Sequence, residues 1–295
     1  MKLPRFNQGC PMRDAPMVSV LMAAYNAERF LAPAIESIQQ QSLPDWELVI
    51  CDDASTDETW QFIKSYAQGD ERIRPCQNQV NAGMSAARNR AFAHSRGVFI
   101  TIMDSDDLSD PERLQTQLDW ANRFPDEVIC TGFRQFGDGG SPPCDLYLPT
   151  ELTNAALWVT TAVCGPSIFL KREWFEELGG YTESIRHDTE DIEFLQRALL
   201  AGHPIRLIPH ALYHYRVHAG SHCGQNKKRF VQRYDEFVAS QWRQHLADAD
   251  ARRDLFEKAI AGLKSSQWPV GNTPLLRRKA AGIAVLLASP FAQFG

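Results

Sequence analysis

A short apolar run, a polar loop and a set of apolar positions at helical spacing recur along the first part of the chain. Val18–Ala24 is nearly continuous in apolar residues, Tyr25 and Asn26 follow it, and Phe30, Leu31, Ala34, Ile35 and Ile38 then mark one face of a helix. The pattern returns as a strand over residues 47–51, a loop from Asp52 to Asp57, and a helix face made by Trp60, Ile63, Tyr66 and Ala67. A third strand over residues 73–76 leads through Asn81-Ala82-Gly83 into an Ala-rich helix ending at Ser95, and residues 98–103 make a fourth strand. Strands that are apolar on both faces and alternate with helices predict an α/β fold, a mostly parallel central sheet covered by helices. Ligands of such sheets sit at the carboxyl ends of the strands. Tyr25, Asp53 and Asp104 all fall at those ends.

Farther along, a helix is expected over residues 111–123 and a strand over 127–131. Gly137, Gly139-Gly140 and Pro142-Pro143 make residues 133–150 a loop and a boundary. Mixed α and β character resumes over 151–222. From Asn226 onward the chain reads as helical, with Phe230, Tyr234, Phe237 and Trp242 spaced for a packed face.

The chain has 295 residues, 44% of them hydrophobic, enough for a substantial core. A formal net charge of -5 argues against a general polyanion binder, so no nucleic-acid partner is expected. Seven cysteines without a Cys-x-x-Cys pair argue against structural zinc and a disulfide framework, and fit a reducing, cytoplasmic compartment. The first residues hold no continuous apolar stretch of the kind a signal peptide needs, and no window reaches the roughly 18 apolar residues of a membrane span. Residues 275–287 join Arg277-Arg278-Lys279 to a shorter apolar run. That fits peripheral contact with an anionic membrane, on the inner face of the cytoplasmic membrane, and equally a helix docked on the domain or between subunits of a homo-oligomer.

The candidate chemistry concentrates at Met103-Asp104-Ser105-Asp106-Asp107, where three carboxylates follow a buried strand within four positions. Hard divalent cations prefer such oxygen ligands. The plainer alternative is an acidic turn before a helix, since Asp110-Pro111 has the form of an N-cap followed by Pro at the first helical position. No Gly-x-Gly-x-x-Gly follows the first strand and no Gly-Lys-Ser/Thr loop occurs, which removes the dinucleotide and P-loop readings. What remains is an aromatic ring able to stack on a base (Tyr25), a carboxylate able to accept from a base N–H (Asp53), and acidic ligands for a metal. Together they suit a nucleoside diphosphate held by a divalent cation. In a strand over residues 213–218, His214, Arg216 and His218 share one face, suited to a diphosphate or a metal. Glu190 and Asp191 open a helix, where a carboxylate complements the dipole and stays ionised.

In order and spacing, these segments resemble the signatures of family 2 glycosyltransferases with the GT-A fold. The resemblance is carried by Val18–Ala24 with Tyr25-Asn26, Asp52-Asp53-Ala54-Ser55-Thr56-Asp57, Asn81-Ala82-Gly83 through Asn89, and Met103 through Asp107. Gly179-Gly180-Tyr181, Thr189-Glu190-Asp191-Ile192-Glu193 and Tyr215 through Ser221 extend it. Ala23 and Ala24 depart from the Pro and Thr or Ser usual there.

The resemblance implies a nucleotide-sugar half over residues 17–132, an acceptor half over 133–222 and a helical extension over 223–295. It assigns Tyr25 and Asp53 to the nucleobase, Arg88 to the nucleotide and diphosphate, and Asp104 and Asp106 to the Asp-x-Asp element. Asp106 would contact Mn2+ or Mg2+ directly. It makes Asp191 the general base with Glu190 in support, and puts Arg216 and His218 on the leaving-group side, His218 as a further metal ligand. The Gly165-Pro166-Ser167 turn, Trp158 and residues 133–150 are expected on the acceptor side. The implied reaction is inverting transfer from a nucleotide diphosphate sugar, a UDP-sugar above all, to a hydroxyl of a glycan or lipid-linked acceptor in cell-surface polysaccharide assembly. The contrasting reading is a non-catalytic member that binds a nucleotide sugar within an assembly.

Overall fold

The computed structural model describes residues 15–137, 153–154, 157–158, 163–185 and 189–218. The predicted C-terminal helices, the segment 275–287 and the glycine- and proline-rich stretch from 138 to 150 lie outside the described residues. Among those described, no helix is long and apolar enough to cross a membrane.

Among the described residues, eight strands form one sheet in the order β3-β2-β1-β4-β7-β6-β8-β5. The first half is the parallel unit the sequence predicts: β1 (Val18–Ala24), α1 (Leu31–Gln39), β2 (Trp46–Asp52), α2 (Thr59–Gly69), β3 (Ile73–Gln77), α3 (Met84–His94) and β4 (Phe99–Asp104). β1 lies at its centre, parallel to both β2 and β4. The register sets Ala24 beside Asp52 and Ala23 beside Asp104, so the loops after all three strands open at one edge. Alternation along β1 sends Leu21 to one face and Val20 and Met22 to the other, and all three are fully buried. On the second face, Leu31, Ile35 and Ile38 of α1 pack against Leu48 and Ile50. Each such side chain stabilises the fold by about 1.5–3 kcal/mol relative to exposure.

The second half continues the same sheet through the two-residue β5 (Leu108–Ser109), α4 (Arg113–Arg123), β6 (Val128–Gly137), a 3-10 turn (Gly165–Ser167) and β7 (Phe169–Lys171). It ends with α5 (Arg172–Glu177), α6 (Glu190–Leu200) and β8 (Ile205–Val217). β7 joins it antiparallel to β4 and β6, whereas β6 and β8 run parallel. The loop expected from residue 133 starts later. Phe133 to Gly137 remain in β6 because they pair with Tyr213 to Val217 of β8, and the strand ends at Gly137 with φ +100°. That pairing carries Arg216 and His218 to the edge where the β1, β2 and β4 loops open.

Candidate active site

The loops after β1 and β2 fasten each other. Asn26 and Ala54 both adopt left-handed backbone, φ 49° and 60°. The Asn26 N–H donates to Ser55 Oγ at 3.0 Å and its Oδ1 accepts from the Thr56 N–H at 2.9 Å. Tyr25, the residue before Asn26, remains 49% exposed, an aromatic face open to a ligand. Asp53 is buried, and its carboxylate accepts from Asn78 Nδ2 at 2.7 Å and from the N–H groups of Ala82 and Gly83 at 2.9 and 2.8 Å. Asp53 therefore shapes the turn leading into α3. Beside it, Asp52 Oδ1 is buried without a partner among the described residues.

After β4 the three carboxylates diverge. Asp104 accepts from Arg88 Nη2 at 2.6 Å. Asp106 Oδ2 meets His218 Nε2 at 3.1 Å. Burial, and then the Asp104 charge, pushes the Asp106 carboxyl above its ordinary range. Asp107 is buried, accepts from the Arg216 N–H at 2.6 Å and leaves Oδ2 without a partner; burial and its two acidic neighbours raise its pKa strongly. The Arg216 side chain donates from Nε to the Asp106 carbonyl at 2.6 Å, with its guanidinium 4.9 Å from the Phe30 ring and 4.4 Å from Phe136. His218 packs on the same Phe30 ring at 4.5 Å.

Arg88, on α3, is 2% exposed and reaches both ways, to Asp104 and to Glu190 Oε1 at 3.4 Å. It thus ties the acidic turn to the N-terminus of α6. Asp191, next to Glu190, has its carboxyl pushed up to about 7, chiefly by burial and then by the Glu190 charge. Its Oδ1 accepts from the Ile192 N–H at 2.8 Å. Across from it lies Gly165, where an added Cβ would sit 1.8 Å from Asp191 Oδ2. Residues 19–179 match the sequence profile of glycosyl transferase family 2.

The chain belongs to this family. EpsE of Bacillus subtilis (strain 168), named as a glycosyltransferase, is 36% identical over 212 residues, covering 70% of this chain and 74% of EpsE. The glycosyltransferase fold is shared with S. aureus TarS (residues 1–349, in complex with UDP-GlcNAc). The TM-score is 0.66 at 18% identity, over 93% of this chain and 81% of that one. The mannosyltransferase PcManGT from Pyrobaculum calidifontis, in complex with GDP-Man and Mn2+, gives a TM-score of 0.60 at 19% identity, over 96% and 84%. The chain is therefore a glycosyltransferase with the GT-A architecture.

Of the side chains just described in this glycosyltransferase, sequence reading misses Asn78 and Phe136 and takes Phe30 only for an apolar helix position, while Arg88 is named only by the family resemblance. The structure brings Asp104, Asp106, Arg216 and His218 together at one edge, and links Glu190 and Asp191 to it through Arg88. His214 is turned elsewhere, 3.8 Å from Asp110. Asn89 carries a part the motif alone does not reveal. It clamps the backbone of Tyr181 from both sides, at 2.8 Å each, and fixes the Gly179-Gly180 turn before α6. Among the described residues, no three His, Cys, Asp or Glu side chains converge as a ready metal cage. Asp106 and His218 nonetheless fit a Mn2+ or Mg2+ ion. Their donor atoms adjoin, the Asp106 carboxylate sits where burial and Asp104 disfavour its charge, and such ions are commonly held by one or two protein ligands plus substrate phosphates.

Proposed function

We propose that this glycosyltransferase moves a sugar, with inversion, from a nucleotide diphosphate sugar, a UDP-sugar in the first instance, to a hydroxyl of a glycan or lipid-linked acceptor. The observation that carries this reading is the Arg88 bridge, which holds the acidic turn of β4 and the first turn of α6 as parts of one site. A divalent cation at Asp106 and His218, with Asp104 beside them, would neutralise charge on the departing diphosphate. Tyr25 is exposed for base stacking. Among the described residues the two Nη nitrogens of Arg216 carry no hydrogen bond, so its fixed guanidinium is available to the leaving group. Asp191 takes the proton of the acceptor hydroxyl. The hydroxyl oxygen then bonds to the anomeric carbon as the bond from that carbon to the diphosphate oxygen breaks, and a single displacement inverts the centre. Cell-surface polysaccharide assembly on the cytoplasmic side, with membrane contact or self-association through 275–287, is the setting that the sequence favours.

The test is a donor panel scored by release of UDP, GDP or dTDP from the corresponding sugar nucleotides, with Mn2+, with Mg2+ and with EDTA. UDP release that requires a divalent cation supports the reading. Undiminished release in EDTA removes the metal, and no release from any donor removes the enzymatic assignment of this site.

A further inference from the structure

Arg113 is fully buried on α4, and among the described residues no carboxylate lies within ion-pairing distance of it. A buried cation without a carboxylate in contact is costly, and burial pulls its pKa down more than the more distant Asp104 charge raises it. Its hydrogen bonds go to neutral groups. Nη2 donates to Thr101 Oγ1 at 2.8 Å, to the Ile102 carbonyl at 2.9 Å and to the Pro166 carbonyl at 2.8 Å. Nε donates to Gln117 Oε1 at 3.1 Å, and Gln117 Nε2 passes on to the Ser167 carbonyl at 2.7 Å. Thr101 Oγ1 then holds the Ile168 carbonyl at 2.6 Å. Three successive carbonyls, of Pro166, Ser167 and Ile168, are therefore fixed to β4 and α4. Pro166 and Ser167 belong to the turn, and Ile168 follows it; at Gly165 of that turn an added Cβ would fall 1.8 Å from Asp191 Oδ2.

From this geometry we infer that Arg113 and Gln117 are positioning residues for transfer: they hold the Gly165–Ser167 turn as the wall that sets the placement and dryness of Asp191. The inference rests on Asp191 being the base. Arg113 touches the turn through the Pro166 carbonyl and makes no hydrogen bond to Asp191 itself. The charges that act most on Asp191 are those of Glu190, Arg88 and Asp104, and the neutral Tyr181, Cys130 and Cys164 also face it. Loosening the turn admits water, so the Asp191 carboxyl falls toward the ordinary carboxylate range and becomes a weaker, misplaced base.

The test compares Arg113→Lys, Gln117→Leu and Asp191→Asn in the full chain, each checked for folding by circular dichroism. Aspartate labelled with carbon-13 at the carboxyl is titrated by NMR, and the Asp191 signal is the one missing from Asp191→Asn. UDP release from UDP-GlcNAc, with water as acceptor, gives kcat and KM. The expected result for Gln117→Leu is an Asp191 titration lowered by about one pH unit. Its kcat should fall about tenfold or more while the donor KM holds. Arg113→Lys should do the same more strongly; if it does not fold, Gln117→Leu decides. A folded Gln117→Leu with unchanged Asp191 titration and unchanged kcat overturns the inference. If Asp191→Asn releases UDP at the parental rate, the base assignment falls instead, and the titration still reports whether the pair sets Asp191.

Discussion

Arg88 donates to Asp104 at 2.6 Å from a position that is 2% exposed, and the same guanidinium reaches Glu190 on a different helix. Burial works against its charge, yet Asp104, Tyr181 and Glu190 more than offset this and hold its pKa above the usual arginine value. Glu190 depends on it, because Arg88 reaches Oε1 while the buried Oε2 has no partner among the described residues. Removing one member of a buried charge set strands the rest, so Arg88→Met should cost about 3–5 kcal/mol of unfolding free energy. Urea denaturation at pH 7 measures this. A loss below about 1 kcal/mol would mean that the carboxylates find water instead.

Gly180 has φ +70° and stands where an added Cβ would come within 2.5 Å of Asn89 Oδ1. Gly180→Ala must strain the backbone and displace the amide that clamps Tyr181. The expected cost is about 1–3 kcal/mol, read as a lowered Tm. Gly179 has φ +72° but open space around it, so Gly179→Ala should cost less. Equal losses at the two positions would show that the Asn89 clamp contributes nothing.

With Asp191 as the proposed base, its carboxyl, pushed up to about 7 by burial first and by Glu190 second, predicts a definite pH dependence of transfer. The base form predominates above pH 7, so kcat/KM should rise about tenfold per unit up to that point and then level. Stability runs the other way. A carboxyl whose pKa is raised by folding favours the folded state fully below its unfolded value near 4, and that contribution is lost as pH climbs through about 7. Asp191→Asn cannot ionise, so its Tm relative to the parent should be higher at pH 8 than at pH 5. The same Tm difference at both pH values would contradict the raised pKa.

The parallel half of the fold was legible because its strands are apolar on both faces and its helices keep one apolar stripe. Val18–Ala24 is the strand the pattern predicts, and Tyr25, Asp53 and Asp104 do end at one edge. By local pattern Phe133 to Gly137 read as loop, because glycine and proline crowd the residues after them. Their strand character comes from pairing with β8, more than seventy positions away, and no local pattern encodes that. The acidic turn, the Glu190-Asp191 pair and Arg216 stand out in sequence as charge at element ends. Asp53 was visible as a carboxylate, but its three donors come from the next loop and appear only in the fold. Phe30 and Arg113 were hidden for a different reason. One reads as an apolar helix position and the other as an ordinary charge on a helix, and their importance comes from what lies across from them.

Asp191→Asn is the most direct measurement of the central claim, that the first turn of α6 supplies the base for transfer. The variant should bind UDP in the presence of Mn2+ within about threefold of the parent by calorimetry, since it touches neither Asp106 nor Arg216. Its rate of sugar transfer should fall by a factor on the order of 10²–10⁴. Transfer at the parental rate, with binding intact, would contradict the account.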